Sequence, residues 1–145
     1  MKERVKVAFE EVNTSVPIVK IRLSNNSEGF AVVDTGSEST VFDKDFVKKS
    51  KNNFDIKITK EKINLVGVAQ NNETPIIYAA TEVFFGNDTM YQFGMKGMVI
   101  SLANLKDNLG FVPAAIIGSD LLEALDSKLD FKKRLMFVSN DISGK

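Results

Sequence analysis

Asp34, Thr35, Gly36 and Ser37 follow directly on the apolar run Phe30-Ala31-Val32-Val33. An acid that ends a buried run must leave the core at once or be held there by hydrogen bonds, because an unpaired charge in apolar surroundings is costly. The neighbouring residues favour the second outcome. Thr35 and Ser37 carry hydroxyls, and Gly36 lets backbone amides approach the carboxylate without a Cβ in the way. A carboxylate held in this manner can serve as a general acid or base. The same residue types also make an ordinary turn after a strand, so the tetrapeptide alone leaves structure and chemistry equally open.

Composition narrows the chemistry. The chain has no His and no Cys. Ser-His-Asp and Cys-His triads are therefore excluded, as are disulfides, thiolate nucleophiles and histidine- or cysteine-ligated metals. Acid–base work without a cofactor falls to Asp, Glu, Lys or Tyr, which points any enzymatic reading toward paired carboxylates. Lys plus Arg equals Asp plus Glu at 19 each, so no basic field suggests nucleic acid. Local runs such as Lys48-Lys49-Ser50-Lys51 and Lys132-Lys133-Arg134 read as solvated faces. No apolar run reaches the length of a membrane span, and Pro113 interrupts the longest. The opening residues lack the apolar core of a signal peptide, so the expectation is a cytoplasmic protein with no membrane partner.

The elements that must position Asp34 are mostly strands. A length of 145 residues with 43% apolar content suits one domain spanning 1–145. Val5, Val7 and Phe9 alternate with charged or small residues, and Pro17 opens a second alternating run through Val19, Ile21 and Leu23. Residues 24–29 read as a hairpin loop into Phe30. Asp43 is placed to cap a short helix through Lys49, with Phe46 and Val47 turned inward. Ile56 and Ile58 alternate with Lys57 and Thr59 as in a further strand. Residues 63–78 suggest a hairpin with its tip near Gln70-Asn71-Asn72-Glu73. Thr81–Phe85 and Met90–Ile100 read as two β-rich segments around a turn, and Ser101–Leu109 as a helical turn or two. Ala114–Ile117 reads as a buried strand, Ser119 as the cap of a following helix, and Asp120 as an acid in its first turn. Leu129–Phe131 and Leu135–Val138 form a closing hairpin. Tyr78 and Tyr91 read as packing residues with hydrated hydroxyls.

Three features occur in a definite order: an apolar strand ending in Asp-Thr-Gly-Ser, a hairpin, and Ile116-Ile117-Gly118-Ser119-Asp120-Leu121-Leu122. This order resembles the retropepsin-like aspartic proteases of cellular and bacterial type. The resemblance spans roughly Pro17 to Val138. It implies a mostly-β acid-protease fold, a partly closed barrel or sandwich with a flap hairpin and one or two short helices. It also implies an aspartic endopeptidase that needs no cofactor and no metal.

Carried over by position, Asp34 would be the catalytic acid or base, with Thr35 bonding across a dimer axis. Gly36 would serve both the carboxylate and the substrate backbone, and Ser37 would donate to the outer carboxylate oxygen. Gly67, Val68 and Ala69 would belong to the flap that covers a peptide or protein substrate. Ile116 to Leu122 would support the catalytic turn from behind, with Asp120 structural. The flap tip departs from the glycine-rich family pattern, and residues 86–113 are longer than in minimal retroviral members.

The chemistry requires two aspartates, whereas the chain contains a single Asp-Thr-Gly. Asp88-Thr89-Met90 and Asp126-Ser127-Lys128 lack both the glycine and the apolar strand. A two-fold homodimer with one Asp34 from each copy is therefore expected. The alternative is a retropepsin-like domain that binds peptide or dimerises without cutting. A carboxylate glycoside hydrolase lacks a compelling second acid, and no loop spaces acids for calcium or magnesium.

Overall fold

The computed structural model describes residues 4–12, 15–61, 74–86 and 91–139. Its strands, in chain order, are β1 (Arg4–Ala8), β2 (Ile18–Leu23), β3 (Glu28–Val33), β4 (Val41–Asp43), β5 (Asp55–Glu61), β6 (Thr74–Phe85), β7 (Gln92–Ile100), β8 (Ala115–Ile117), β9 (Lys128–Asp130) and β10 (Leu135–Ser139). The helices are α1 (Lys44–Lys49), α2 (Lys106–Leu109) and α3 (Ser119–Ala124), with 3-10 turns at Lys51–Asn53 and Ala103–Leu105.

Seven strands form one sheet in the order β2-β3-β8-β4-β7-β6-β5, and β2 also pairs with β6. That extra pairing closes β2, β3, β8, β4, β7 and β6 into a barrel and leaves β5 outside as the edge strand among the described residues. Alternation fills the interior. Val19, Ile21 and Leu23 of β2, Ala31 and Val33 of β3, and Val83 and Phe85 of β6 meet Phe93 and Met95 of β7 in one core. The rings of Phe85 and Phe93 stack with centroids 4.4 Å apart. A second sheet, β1-β10-β9, sends Val7, Met136 and Val138 into the same core.

Several sequence expectations hold and some shift. Asp43 caps α1, its Oδ2 accepting from the Phe46 amide at 3.2 Å, and its Oδ1 accepts from the Leu102 amide at 2.8 Å. The same acid thus ends β4, a strand the sequence did not announce, and ties down the start of the connection from β7 to β8. Thr81–Phe85 is the continuation of a single 12-residue strand, β6, rather than a separate segment. Ile56 and Ile58 lie in a strand, yet they are 41% and 64% exposed. The barrel closes one strand before β5, so the inward face of β5 has no opposite wall. Ser119 is the first residue of α3 and Gly118 its cap, without a side-chain capping bond.

Tyr91 is a correction of another kind. Its hydroxyl is not hydrated but buried, and it donates to the Ser139 carbonyl, joining the barrel to β10. Burial pushes the phenol above its ordinary value. A pKa raised on folding contributes stability that is complete below the unfolded value of about 10 and lost as pH rises through the folded value. Tyr91→Phe is expected to lower stability in urea by about 1 kcal/mol and to flatten the alkaline fall in stability.

Candidate active site

The position of β8 between β3 and β4 dictates the path of the chain at Asp34. β3 and β8 run parallel, and β4 runs antiparallel to β8. Residues 34–40, which join β3 to β4, must therefore cross the carboxyl end of β8. They are fastened there. The Asp34 amide donates to the Ile117 carbonyl at 3.0 Å, continuing the β3–β8 ladder by one residue, and the Ser119 amide donates to the Ser37 carbonyl at 2.7 Å.

Within the turn, the Gly36 amide donates to Asp34 Oδ1 at 3.0 Å, as the sequence suggested. Ser37 departs from its expected role. Its hydroxyl donates to the Ser39 carbonyl at 3.0 Å, spanning the turn instead of reaching the carboxylate. Asp34, Thr35 and Gly36 are exposed. Gly67, Val68 and Ala69 lie outside the described residues.

Asp120 holds the far end of the turn. Its Oδ1 accepts from the Thr40 amide at 3.0 Å, the Thr40 hydroxyl at 2.7 Å and the Leu121 amide at 2.7 Å. The Thr40 hydroxyl in turn accepts from the buried Gly118 amide at 3.0 Å. One hydroxyl thus links strand-end amide to carboxylate. Thr40 carried no signal in the sequence beyond its place before the apolar pair Val41-Phe42. Gly118 is required by closeness of approach: a Cβ there would lie 2.7 Å from the Ser39 carbonyl carbon and 2.8 Å from the Ser37 oxygen.

Two surfaces adjoin the turn. A hollow of about 530 Å³ is lined by Thr35, Ser119, Leu122, Glu123, Ser127 and Leu129. The Ser127 hydroxyl is buried without a hydrogen-bond partner. On the outer face of the barrel, direct pairing aligns Val32, Ile116, Val41, Met98 and Tyr78 in a row across five strands. Asp34 follows Val32 by two, so the strand period directs both to this face. The described residues contain no cluster of acids suited to a metal ion.

The architecture has solved counterparts. A retropepsin-like aspartic protease from Rickettsia conorii superposes with a TM-score of 0.55 at 19% identity, covering 96% of this chain and 92% of that one. The retroviral protease-like domain of Ddi1 from Leishmania major superposes with a TM-score of 0.53 at 16% identity, covering 94% and 99%. The fold is retropepsin-like. No protein-family model and no curated protein matches the chain in sequence. Within this retropepsin-like fold the strand-end turn and the Ile116–Leu122 segment, two of the three ordered sequence features, touch directly.

Removing the support should loosen the turn without touching the Asp34 carboxylate. Asp120→Ala leaves the Thr40 and Leu121 donors unpaired and is expected to cost about 2–3 kcal/mol of stability. Asp120→Asn, which keeps one acceptor oxygen, should recover at least half of that loss in parallel denaturant melts. Gly118→Ala should be as damaging as Asp120→Ala, since backbone atoms must move to admit the methyl group.

Proposed function

We propose that the chain is an aspartic endopeptidase, one 1–145 domain supplying half of an active site that a homodimer completes. The observation that carries this reading is the Asp34 turn itself. An exposed carboxylate ends a core strand, accepts the Gly36 amide, and is anchored at both ends of its turn by the 117–120 segment. The retropepsin-like fold supports the assignment. Asp126, the other described candidate preceding a hydroxyl residue, sits in a left-handed turn after α3 with φ 49° and offers no comparable strand end.

In the proposed dimer two Asp34 carboxylates meet at the two-fold axis. Two carboxylates held close cannot both ionise cheaply, so they share one proton. The charged one takes a proton from water, the protonated one donates to the scissile carbonyl oxygen, and water attacks without a covalent intermediate. Thr35 bonds across the axis. Gly36 presents its carbonyl to substrate backbone. Gly67, Val68 and Ala69 close over the peptide, and the exposed Ile56 and Ile58 lend the covering hairpin an apolar side. Ile116 and Met98, the half-buried members of the row from Val32 to Met98, supply an apolar wall beside the scissile bond. The hollow beside Thr35 and the outer edge of β9, unpaired among the described residues, suit the second copy. The roles ask for no cofactor or metal.

Asp34→Asn is expected to abolish cleavage of a peptide library while leaving the dimer intact in sedimentation. Activity should peak at mildly acidic pH, with a bell-shaped profile belonging to the pair, and pepstatin should inhibit it. A strict monomer that still cuts peptides would refute the shared site. Peptide binding without turnover across the acid range would favour a silent binding domain.

A further inference from the structure

The row that begins beside Asp34 continues beyond the closed barrel. Tyr78, the last of its apolar members, is paired directly with Lys57 of the edge strand β5. At this end the outer face opens into a groove of about 410 Å³, lined by Asp55, Lys57, Thr59, Tyr78, Ala80 and Lys96. Ala80 forms its floor because it is the small residue of its row, paired with Asp55 on one side and Lys96 on the other. The taller side chains of the neighbouring positions stand around it.

The groove is richer in donors than in acceptors. Lys57 and Lys96 contribute ammonium groups and Tyr78 a phenol. The Thr59 hydroxyl beside them is buried and has no hydrogen-bond partner, so it adds no acceptor to the groove. Neither lysine forms an ion pair among the described residues, where Lys20 and Glu28 are the pair that does. Asp55 and Glu82 share the same outer face, so the groove is a local concentration of donors and not part of a broad positive field.

We propose that this groove is a distal subsite that takes an acidic side chain of an extended peptide substrate, its carboxylate between Lys57 and Lys96. The proposal deepens the endopeptidase reading and rests on it for the course of the peptide. Adjacent strands lie about 4.8 Å apart, so five steps from β3 to β5 span at most about 24 Å of surface. An extended peptide advances about 3.3 Å per residue, which places the acid within about seven residues of the scissile bond. The preference acts through substrate affinity rather than the chemical step.

The test separates binding from turnover. Fluorescein-labelled apolar peptides carrying a single Glu, stepped through the seven or so positions on each side, are compared with their Gln counterparts. Anisotropy is measured on the Asp34→Asn protein, which holds peptides without cutting them. Glu is expected to bind about three- to tenfold tighter than Gln at one or two adjacent positions, the gain fading with added salt. Combining Lys57→Glu with Lys96→Glu should reverse that preference in favour of a Lys peptide, leaving affinity for the Gln peptides unchanged. Both lysines are exposed, and a retained denaturation midpoint confirms the fold.

Equal affinity for Glu and Gln at every position overturns the proposal. So does failure of every peptide to bind, or a Glu preference that survives the reversal. Turnover of the same peptides by the unmodified chain judges the other reading separately. A lysine-dependent Glu preference without any cleavage keeps the groove and defeats the endopeptidase. Cleavage indifferent to Glu does the opposite.

Discussion

Everything at the candidate site depends on how residues 34–40 are fastened to the end of β8 and the start of α3. A connection that must cross the end of an intervening strand has no sheet partner of its own, so its backbone groups need other partners. Here Ile117, Ser119 and Asp120 supply them, and Thr40 relays between the Gly118 amide and the Asp120 carboxylate. Each bond contributes only about 1 kcal/mol net, but leaving its buried partner unpaired costs about 1–3 kcal/mol. The arrangement is therefore better described as one that penalises every alternative path of the turn. Asp34 inherits its position from that penalty.

The barrel explains which apolar residues lie inside its wall and which lie outside it. Closure through β2 and β6 encloses the inward side chains of six strands, among them Phe42, Phe85 and Phe93. The outward residues Val32, Ile116 and Val41 sit behind this wall and are no part of that core cluster. Strand β5 lies outside closure, which is why its two isoleucines stay exposed although they alternate correctly. An apolar period identifies a strand and one of its faces. Whether that face is covered is a property of the whole topology.

That distinction also sets how much could be read from the chain beforehand. The Asp34 turn, the Asp43 cap, the Ile116–Leu122 segment and the terminal hairpin each carry a local signal, and each is found where its signal placed it. Elements defined by distant partners were less legible. Strand β4 is three residues long and owes its existence to β7 and β8 on either side. Tyr91 lost its water to a carbonyl 48 residues away, a partner no local pattern could indicate.

The same physics bears on why the proposed site should be divided between two copies. The turn is well ordered by bonds that its own chain provides, yet its acid, threonine and glycine all remain on the surface. Chemistry that needs one charged and one protonated carboxylate cannot come from a single acid, and Asp43, the described acid that ends the core strand β4, is buried and taken up by the Phe46 and Leu102 amides. Pairing across a two-fold axis meets both conditions with one sequence motif, because symmetry gives the second carboxylate the same support as the first. It also removes water from the pair only when the two chains meet, so the field that raises one carboxylate's proton affinity comes into being with the dimer. In this reading assembly is itself the step that creates the acid and the base, and mass action then governs how much of the chain is competent at a given concentration.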